Sequence, residues 1–546
     1  MRTKYGGRRL VVSQCKRSED GETIVRAIDY FDKASEAFPD RIALIEGDVR
    51  FTYRELRAAS ERVARAMRAA GLRDEERVAI YSPNDARVLV CMLGILCAGG
   101  TWVPINYRNA IDANADFMNY VETRWLFYHS SFGEQVKELK SRVPALRHLV
   151  CIDSEYHGDP SLAHFIEQPV QSEPPDWADP RGNPNRLVGL VPTGGTTGPA
   201  KGVRVTSDSW SAFVEMAAHY WQCADGPPVC LSTAPLSHAA GPVAFAMFGL
   251  GATNVVLPRF DAGAVLHSIE LHRVTHIFLP PTAFYALLAH PDVRRRDHSS
   301  LRVLLLAASP VSPDRFKEGV EIFGPCMCQC YGQTEVPMLM TWLDRETVAA
   351  AAAGNHPERL RSCGKATYGV RLAIMDDVGR LLPPNQAGEI VARGALVTPG
   401  YHNLPEATAE VRTFGWHHTG DVGYRDEDGY FYIVDRKKDM IISGGFNVFS
   451  GEVEAAIMAM PQVYECAVVG IPHETWGEAV KALIVVRHGE SLTEEEVIAH
   501  CKKKLGGVKT PKSVEFRVEI PKTPAGKIDR KQLRAPYWQG AERAVH

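Results

Sequence analysis

The chain lacks any hydrophobic run of membrane-spanning length. Val88 to Ala98 is apolar but broken by Gly94, and it falls far short of the roughly 20 residues a span needs. It also lacks an excess of either charge: 62 Lys and Arg stand against 65 Asp and Glu, a formal balance of −3. That balance gives neither nucleic acid nor an anionic membrane anything to recognise electrostatically. Basic residues open the chain, yet no apolar signal segment follows, and Glu19, Asp20 and Glu22 soon intervene. A cytoplasmic address is therefore expected. A cysteine framework is missing too. The 12 cysteines are scattered through 546 residues, and the one conspicuous set is Cys326, Cys328 and Cys330. These alternate as one face of a strand would, with no histidine or further cysteine nearby at metal-ligand spacing. Small apolar thiols on a buried, reduced strand are the expected reading.

What is present is an ordinary globular composition, 45% hydrophobic and 23% charged, in a chain too long for one core. Arg41 to Glu46 reads as a strand and Thr52 as the cap of a helix opening at Tyr53. Arg77 to Tyr81 reads as a strand and Val88 to Cys97 as a buried helix. Such alternation is the sequence form of βαβ units. A Pro-, Asp- and Glu-rich connector at 168–186 leads to a second alternating block, with strands at 188–191, 276–279 and 303–306. A short helix over 346–354 ends at Gly354, and 365–434 is rich in strands and turns. In the tail, Thr493 and Glu496 form a capping box, and Lys502, Lys503 and Lys504 complement the dipole at the same helix's end. Three parts are predicted: a polar arm over 1–26, an α/β body over 27–435 and a small α+β domain over 436–546.

Strand 188–191 runs into Thr193, Gly194, Gly195, Thr196, Thr197, Gly198, Pro199, Ala200, Lys201 and Gly202. Glycines let the backbone fold tightly and present N–H groups, threonines add hydroxyl donors, and the lysine adds charge. These are the ingredients of a phosphate cradle, and equally of a flexible turn. The Gly-Lys-Ser/Thr ending of a Walker A loop is absent.

This run resembles the signature loop of the adenylate-forming enzymes, which include acyl-CoA synthetases, adenylation domains of peptide synthetases and beetle luciferases. Four further motifs occur in that family's order, and the resemblance spans roughly residues 27–535. In Tyr331-Gly332-Gln-Thr334-Glu335 it implies a tyrosine stacked on adenine, a glycine in the nucleotide site and a threonine at the α-phosphate. Glu335 is implied to hold the Mg²⁺ that accompanies ATP, as suits a hard cation. In Trp416-His-His-Thr-Gly-Asp421 it implies that Asp421 accepts the ribose hydroxyls. Arg436 is implied to contact ribose, Lys438 to be a hinge, and Ser443, Gly444 and Gly445 to line a tunnel for the pantetheine arm of coenzyme A. Lys527, in Pro521-Lys-Thr-Pro-Ala-Gly-Lys527, is implied to bridge the attacking carboxylate and the α-phosphate. The implied fold is an α/β body with a small β-barrel-like subdomain and a mobile α+β C-terminal domain. Taken singly, each residue has a plainer reading: Tyr331 as core, Asp421 as a turn, Lys527 as surface.

For the acid, Pro235-Leu-Ser-His238-Ala-Ala-Gly241 fills the place of a substrate-gating segment, with His238 at the end of the acyl pocket. No aspartate lies between Pro235 and Gly249 to bind an amine, and Cys328-Gln-Cys330 offers no cation to a second carboxylate. The resemblance puts Ala307, Ala308, Ser309, Gly332, Val336 and Pro337 on the pocket walls, with Phe284 or Tyr285 nearby. Ala307-Ala-Ser309 stands where many relatives carry a glycine pair. A medium- or long-chain fatty acid is the first expectation, and an aromatic acid of benzoate or cinnamate type the second. Two rival classes are a luciferase-like monooxygenase and an inactive nucleotide or acyl-CoA sensor, which would be expected to lose Lys527 or Glu335. Oligomeric state, a homodimer included, is left open.

Overall fold

The computed structural model describes residues 25–167, 183–193, 200–222, 226–444, 446–523 and 527–538. Nearly all of the expected arm, most of the 168–186 connector, Gly194 to Gly198 and Gly445 lie outside these residues.

Two large sheets form the body. A six-stranded sheet runs in the order His148–Cys151, Trp125–Tyr128, Arg77–Tyr81, Thr101–Pro104, Leu187–Pro192 and Gly202–Thr206. Its neighbours are parallel except for the last pair, so the loop after Pro192 is a hairpin connection. The second sheet has 13 strands. Its parallel centre holds Thr253–Val256, Val229–Ser232, His276–Leu279, Val303–Leu306 and Met327–Tyr331. Beyond Met327–Tyr331 the pairing turns antiparallel, through Thr341–Leu343, Gly364–Ala366 and Tyr430–Arg436 to His417–Arg425, Gly388–Gly394 and Val370–Met375. The strand- and turn-rich stretch is thus joined edge-on to the parallel sheet.

Helix Ala86–Cys97, capped by Asp85, lies in the main core cluster together with residues of both sheets. From Val88 to Ile95 every residue is buried, which accounts for the apolar run; Arg87, in the first turn, is the charged exception. Helix Tyr53–Ala69 starts in a reciprocal capping box between Thr52 and Glu55, and Glu494–Leu505 does the same with Thr493 and Glu496, as their spacing predicts. Cys326, Cys328 and Cys330 are all buried, but they do not share one strand face: Cys328 and Cys330 lie in Met327–Tyr331 and pack in the main core, whereas Cys326 precedes that strand and packs with Met327 in the second cluster. No metal-holding group of three or more His, Cys, Asp or Glu occurs among the described residues. No helix among them is long and apolar enough to cross a membrane.

The tail has its own five-stranded sheet, centred on the antiparallel pair Val463–His473 and Gly477–Val486, with its own buried clusters. Parallel strands of an α/β sheet present ligand sites at their carboxyl ends. Here those ends deliver Ala307 after Val303–Leu306, Tyr331 at the end of Met327–Tyr331, and Thr193 after Leu187–Pro192.

Candidate active site

Asp421 is the hub where three motifs meet. It is buried, in strand His417–Arg425, and its register partner on the neighbouring strand is Arg436. That register places Arg436 Nε 3.0 Å from Asp421 Oδ1. The Tyr331 hydroxyl donates to Asp421 Oδ2 at 2.5 Å, and Gln333 Nε2 donates to the same oxygen at 2.9 Å. Gln333 also donates to the carbonyl of Thr419 at 2.7 Å. The Arg436 pKa is raised chiefly by Asp421, and burial drives the Tyr331 phenol well up, with Asp421 adding to the shift. His417, crowded by protein and near Arg412 and His418, is pushed down to about 3 and stays neutral.

Residues 331–340 form a tight turn. Gln333 N donates to the carbonyl of Val336 at 3.0 Å, and Met340 N to that of Tyr331 at 2.9 Å. Gly332 must be a glycine here: a Cβ on it would stand 2.5 Å from the backbone N, Cα and C of Met338. The turn leaves Thr334 and Glu335 half-buried. Glu335 lies in this loop, not at a helix N-terminus. Its carbonyl accepts from the N–H and hydroxyl of Thr398, both at 2.9 Å, and its Oε1 accepts from the Tyr401 hydroxyl at 2.7 Å. Lys201 Nζ sits over the Tyr401 ring, 4.9 Å from its centroid. Thr193 closes the base of the glycine-rich loop, where its N–H donates to the Lys201 carbonyl at 2.9 Å and Lys201 N to its hydroxyl at 3.1 Å.

Lys438 separates residues tied to different parts of the protein. Lys437, before it, pairs with Asp377 at 2.8 Å and Glu389 at 3.3 Å in the body. Asp439, after it, pairs at 3.0 Å with Arg534 in the last described helix of the tail. A half-buried pair, in which Arg530 Nη2 donates to both oxygens of Glu454 at 2.7 and 2.8 Å, fixes that same helix just beyond Lys527. Thr523 N donates to the Lys527 carbonyl at 2.7 Å, closing the loop that carries the lysine.

Lys527 keeps an exposed side chain, yet it feels the charges of Arg436, Asp421 and Lys438. A cleft walled by protein and open to water accounts for both. Desolvation lowers its pKa most, and Arg436 and Lys438 lower it further against the pull of Asp421. His238, likewise exposed, is lowered by desolvation and then by Lys527. The two side chains are thus near enough to interact electrostatically.

Over residues 31–402 the chain matches the family described as AMP-binding enzyme, and over 452–527 the AMP-binding enzyme C-terminal domain. The chain belongs to the AMP-binding enzyme family. It is 36% identical over 516 residues to the medium/long-chain-fatty-acid–CoA ligase FadD8 of Mycobacterium tuberculosis, covering 92% of this chain and 88% of that one. It is 35% identical over 513 residues to a feruloyl-CoA synthase of an Amycolatopsis species, covering 91% and 96%. Among solved structures, the amide bond synthetase McbA from Marinactinospora thermotolerans superposes with a TM-score of 0.84 at 30% identity, covering 94% and 100%. Family and relatives together make this AMP-binding enzyme an AMP-forming acyl-CoA synthetase.

Not every residue expected on the acyl-pocket wall faces open space. Ala307 is almost fully buried, Ala308 and Ser309 are exposed, and Pro337 is half-buried. Val336 has no accessible surface and packs in the main core. Phe284 is also fully buried, on the far side of the sheet, clustered with Phe323 and Met327. Tyr285 reaches the surface, and its hydroxyl accepts from Ser312 N at 3.1 Å. Ala308 takes φ +78°, a left-handed conformation that favours glycine, which accords with the glycine pair of many relatives. In the tail, Gly444 has φ +59° and is exposed, whereas Ser443 is buried in strand Ile441–Ser443, which is paired on both sides. Sequence reasoning missed Gln333, Tyr401 and the Glu454–Arg530 pair. Gln333 lay inside a recognised motif; for the others, the partners are separated by 66 and 76 residues, and no local pattern announces such contacts.

Proposed function

We propose that this AMP-forming acyl-CoA synthetase joins a medium- or long-chain fatty acid to coenzyme A through an acyl-adenylate. The observation that carries the reading is the cluster at Asp421, where Tyr331 and Gln333 donate to one carboxylate oxygen and Arg436 pairs with the other, with Lys527 of the tail near enough to feel the charges of Asp421 and Arg436. In the first half-reaction a carboxylate oxygen attacks the α-phosphorus of ATP and pyrophosphate leaves. Two anions must meet, so charge compensation and alignment dominate the barrier. Lys527 supplies a positive charge between them. Lys201 and the glycine-rich loop hold the phosphates, Asp421 and Arg436 the ribose, and Thr334 the α-phosphate. His238, neutral, borders the acyl carboxylate without adding a second cation.

Mg²⁺ fits Glu335. One carboxylate oxygen is held by Tyr401, and no wider set of metal ligands surrounds it among the described residues. Sparse protein coordination suits an ion held largely by substrate phosphates. When bound, it would neutralise phosphate charge.

In the second half-reaction the thiol of coenzyme A attacks the acyl carbonyl and AMP leaves. Lys527 must then withdraw. The opposed anchoring of Lys437 and Asp439 supports Lys438 as the pivot, and Ser443, Gly444 and Gly445 belong to the face that would replace it. The wall residues carry no charge, which favours an apolar acid, and the 36% identity to a fatty-acid ligase favours an aliphatic one. An aryl acid is the second reading, favoured by the 35% identity to a feruloyl-CoA synthase.

Acid-dependent pyrophosphate release, measured across fatty, benzoic and cinnamic acids with and without coenzyme A, tests the proposal. Fatty acids should give the highest kcat/KM and sustained turnover only with coenzyme A. A cinnamate preference would select the second reading, and silence with every acid would end both.

A further inference from the structure

The loop that bears Lys201 and the turn that bears Glu335 are linked by one side chain outside the recognised motifs. Tyr401 is nearly buried, and its segment is stitched to the strand after the glycine-rich loop. Arg204 N donates to the Gly400 carbonyl at 2.9 Å, His402 N donates to the Gly202 carbonyl at 2.8 Å, and Val203 and Tyr401 form a bridge. On the other side, Thr398 of the same segment holds the Glu335 backbone carbonyl. The aromatic ring lies under the Lys201 ammonium, and its hydroxyl donates to Glu335 Oε1 at 2.7 Å.

We infer that Tyr401 is a positioning residue for metal-bound ATP, setting the spacing between Lys201 and the Glu335 carboxylate. The inference rests on the adenylation reading above. A hydroxyl bonded to an ionised carboxylate is a strong, short hydrogen bond, and it stops the carboxylate rotating. Tyr401 thereby uses one acceptor position of the carboxylate, and the positions that remain would be held in a fixed orientation for a cation. The ring face meanwhile stabilises the ammonium where the loop ends. One rigid phenol thus fixes both charges that bracket the phosphates.

Calorimetric ATP binding by the full chain, with and without Mg²⁺, tests this. Tyr401→Phe keeps the ring under Lys201 and removes only the hydroxyl. Mg²⁺ should tighten ATP binding by the parent, and in the variant that tightening should shrink about tenfold while metal-free ATP binding changes less than about twofold. Half-saturating Mg²⁺ for pyrophosphate release should rise by a similar factor, in a folded protein whose melting temperature falls by no more than a few degrees. In a Glu335→Gln background, Tyr401→Phe should have no further effect on the Mg²⁺ response, because the two act as a unit. An unchanged Mg²⁺ response in the single variant, additive losses in the double variant, or a Tyr401→Phe chain that fails to fold would each overturn the assignment. Absence of acid-dependent pyrophosphate release in the parent would instead refute the adenylation reading, and the binding arm would still report on Tyr401.

Discussion

Replacing Gly332 with alanine isolates what the 331–340 turn does. The added methyl would lie 2.5 Å from three backbone atoms of Met338, and ordinary contact is recovered only by a movement of about 1 Å. Met338 has little freedom to supply it: its φ is already +50°, and Val336, Leu339 and Met340 beside it have no accessible surface. The movement must therefore fall on the other limb, which carries Thr334 and Glu335. Overpacking of this kind costs about 1–3 kcal/mol of stability, and a displacement near 1 Å at reacting groups costs about a hundredfold in rate. Pyrophosphate release should fall by that order, with a folded protein melting a few degrees lower. Gly354→Ala is the control. It too has a positive φ (+96°), but its new methyl meets nothing within 4 Å. It should lose about 1 kcal/mol through strain alone and keep its rate. A folded Gly332→Ala enzyme working at the parent's rate would show that the turn does not position the catalytic groups.

Lys438→Pro should leave adenylation near the parent's rate and impair thioester formation, because it stiffens the pivot while sparing the cleft; equal loss of both half-reactions would count against a hinge. Ala308→Gly should stabilise the fold by about 1 kcal/mol, since glycine accepts φ +78° without penalty, and thermal melting checks this; a drop in stability would contradict the strain. The Lys527 pKa lies below the ordinary lysine value of 10.5, so the cation is lost earlier as pH rises. The alkaline limb of kcat/KM for adenylation should accordingly fall below pH 10.5 and move out of range in Lys527→Arg; a limb at or above the ordinary value would refute the assignment.

Much of the fold was legible because its signals are local. The helix caps at Thr52 and Thr493, the apolar stretch from Val88 to Cys97 and the strand that ends at Tyr331 are each written within a few residues, and these elements formed as read, except that Cys326 falls outside the strand. The candidate site was legible through motif resemblance, which reported residue types and order but not their mutual contacts. Hence Asp421, Tyr331 and Arg436 were anticipated individually, whereas the hydrogen bonds that gather them were not. Val336 and Phe284 illustrate the opposite failure. Both lie on elements that border the cleft, yet their side chains turn into packed cores, and side-chain direction depends on a local register that resemblance does not carry.

The geometry at Asp421 constrains how a nucleotide can be received. A carboxylate offers about four acceptor positions, and Tyr331, Gln333 and Arg436 already occupy three of them. A ribose diol brings two donors, so one protein donor must give way. Tyr331 and Gln333 sit on the turn braced by Gly332 and Met338, whereas the Arg436 side chain retains 47% of its exposure and a long flexible stem. Arg436 is thus the donor able to yield, and it lies two residues before Lys438. In the proposed mechanism a single ion pair, Arg436 with Asp421, would therefore lie between the ribose site and the pivot, and its exchange on nucleotide binding would loosen the start of the hinge.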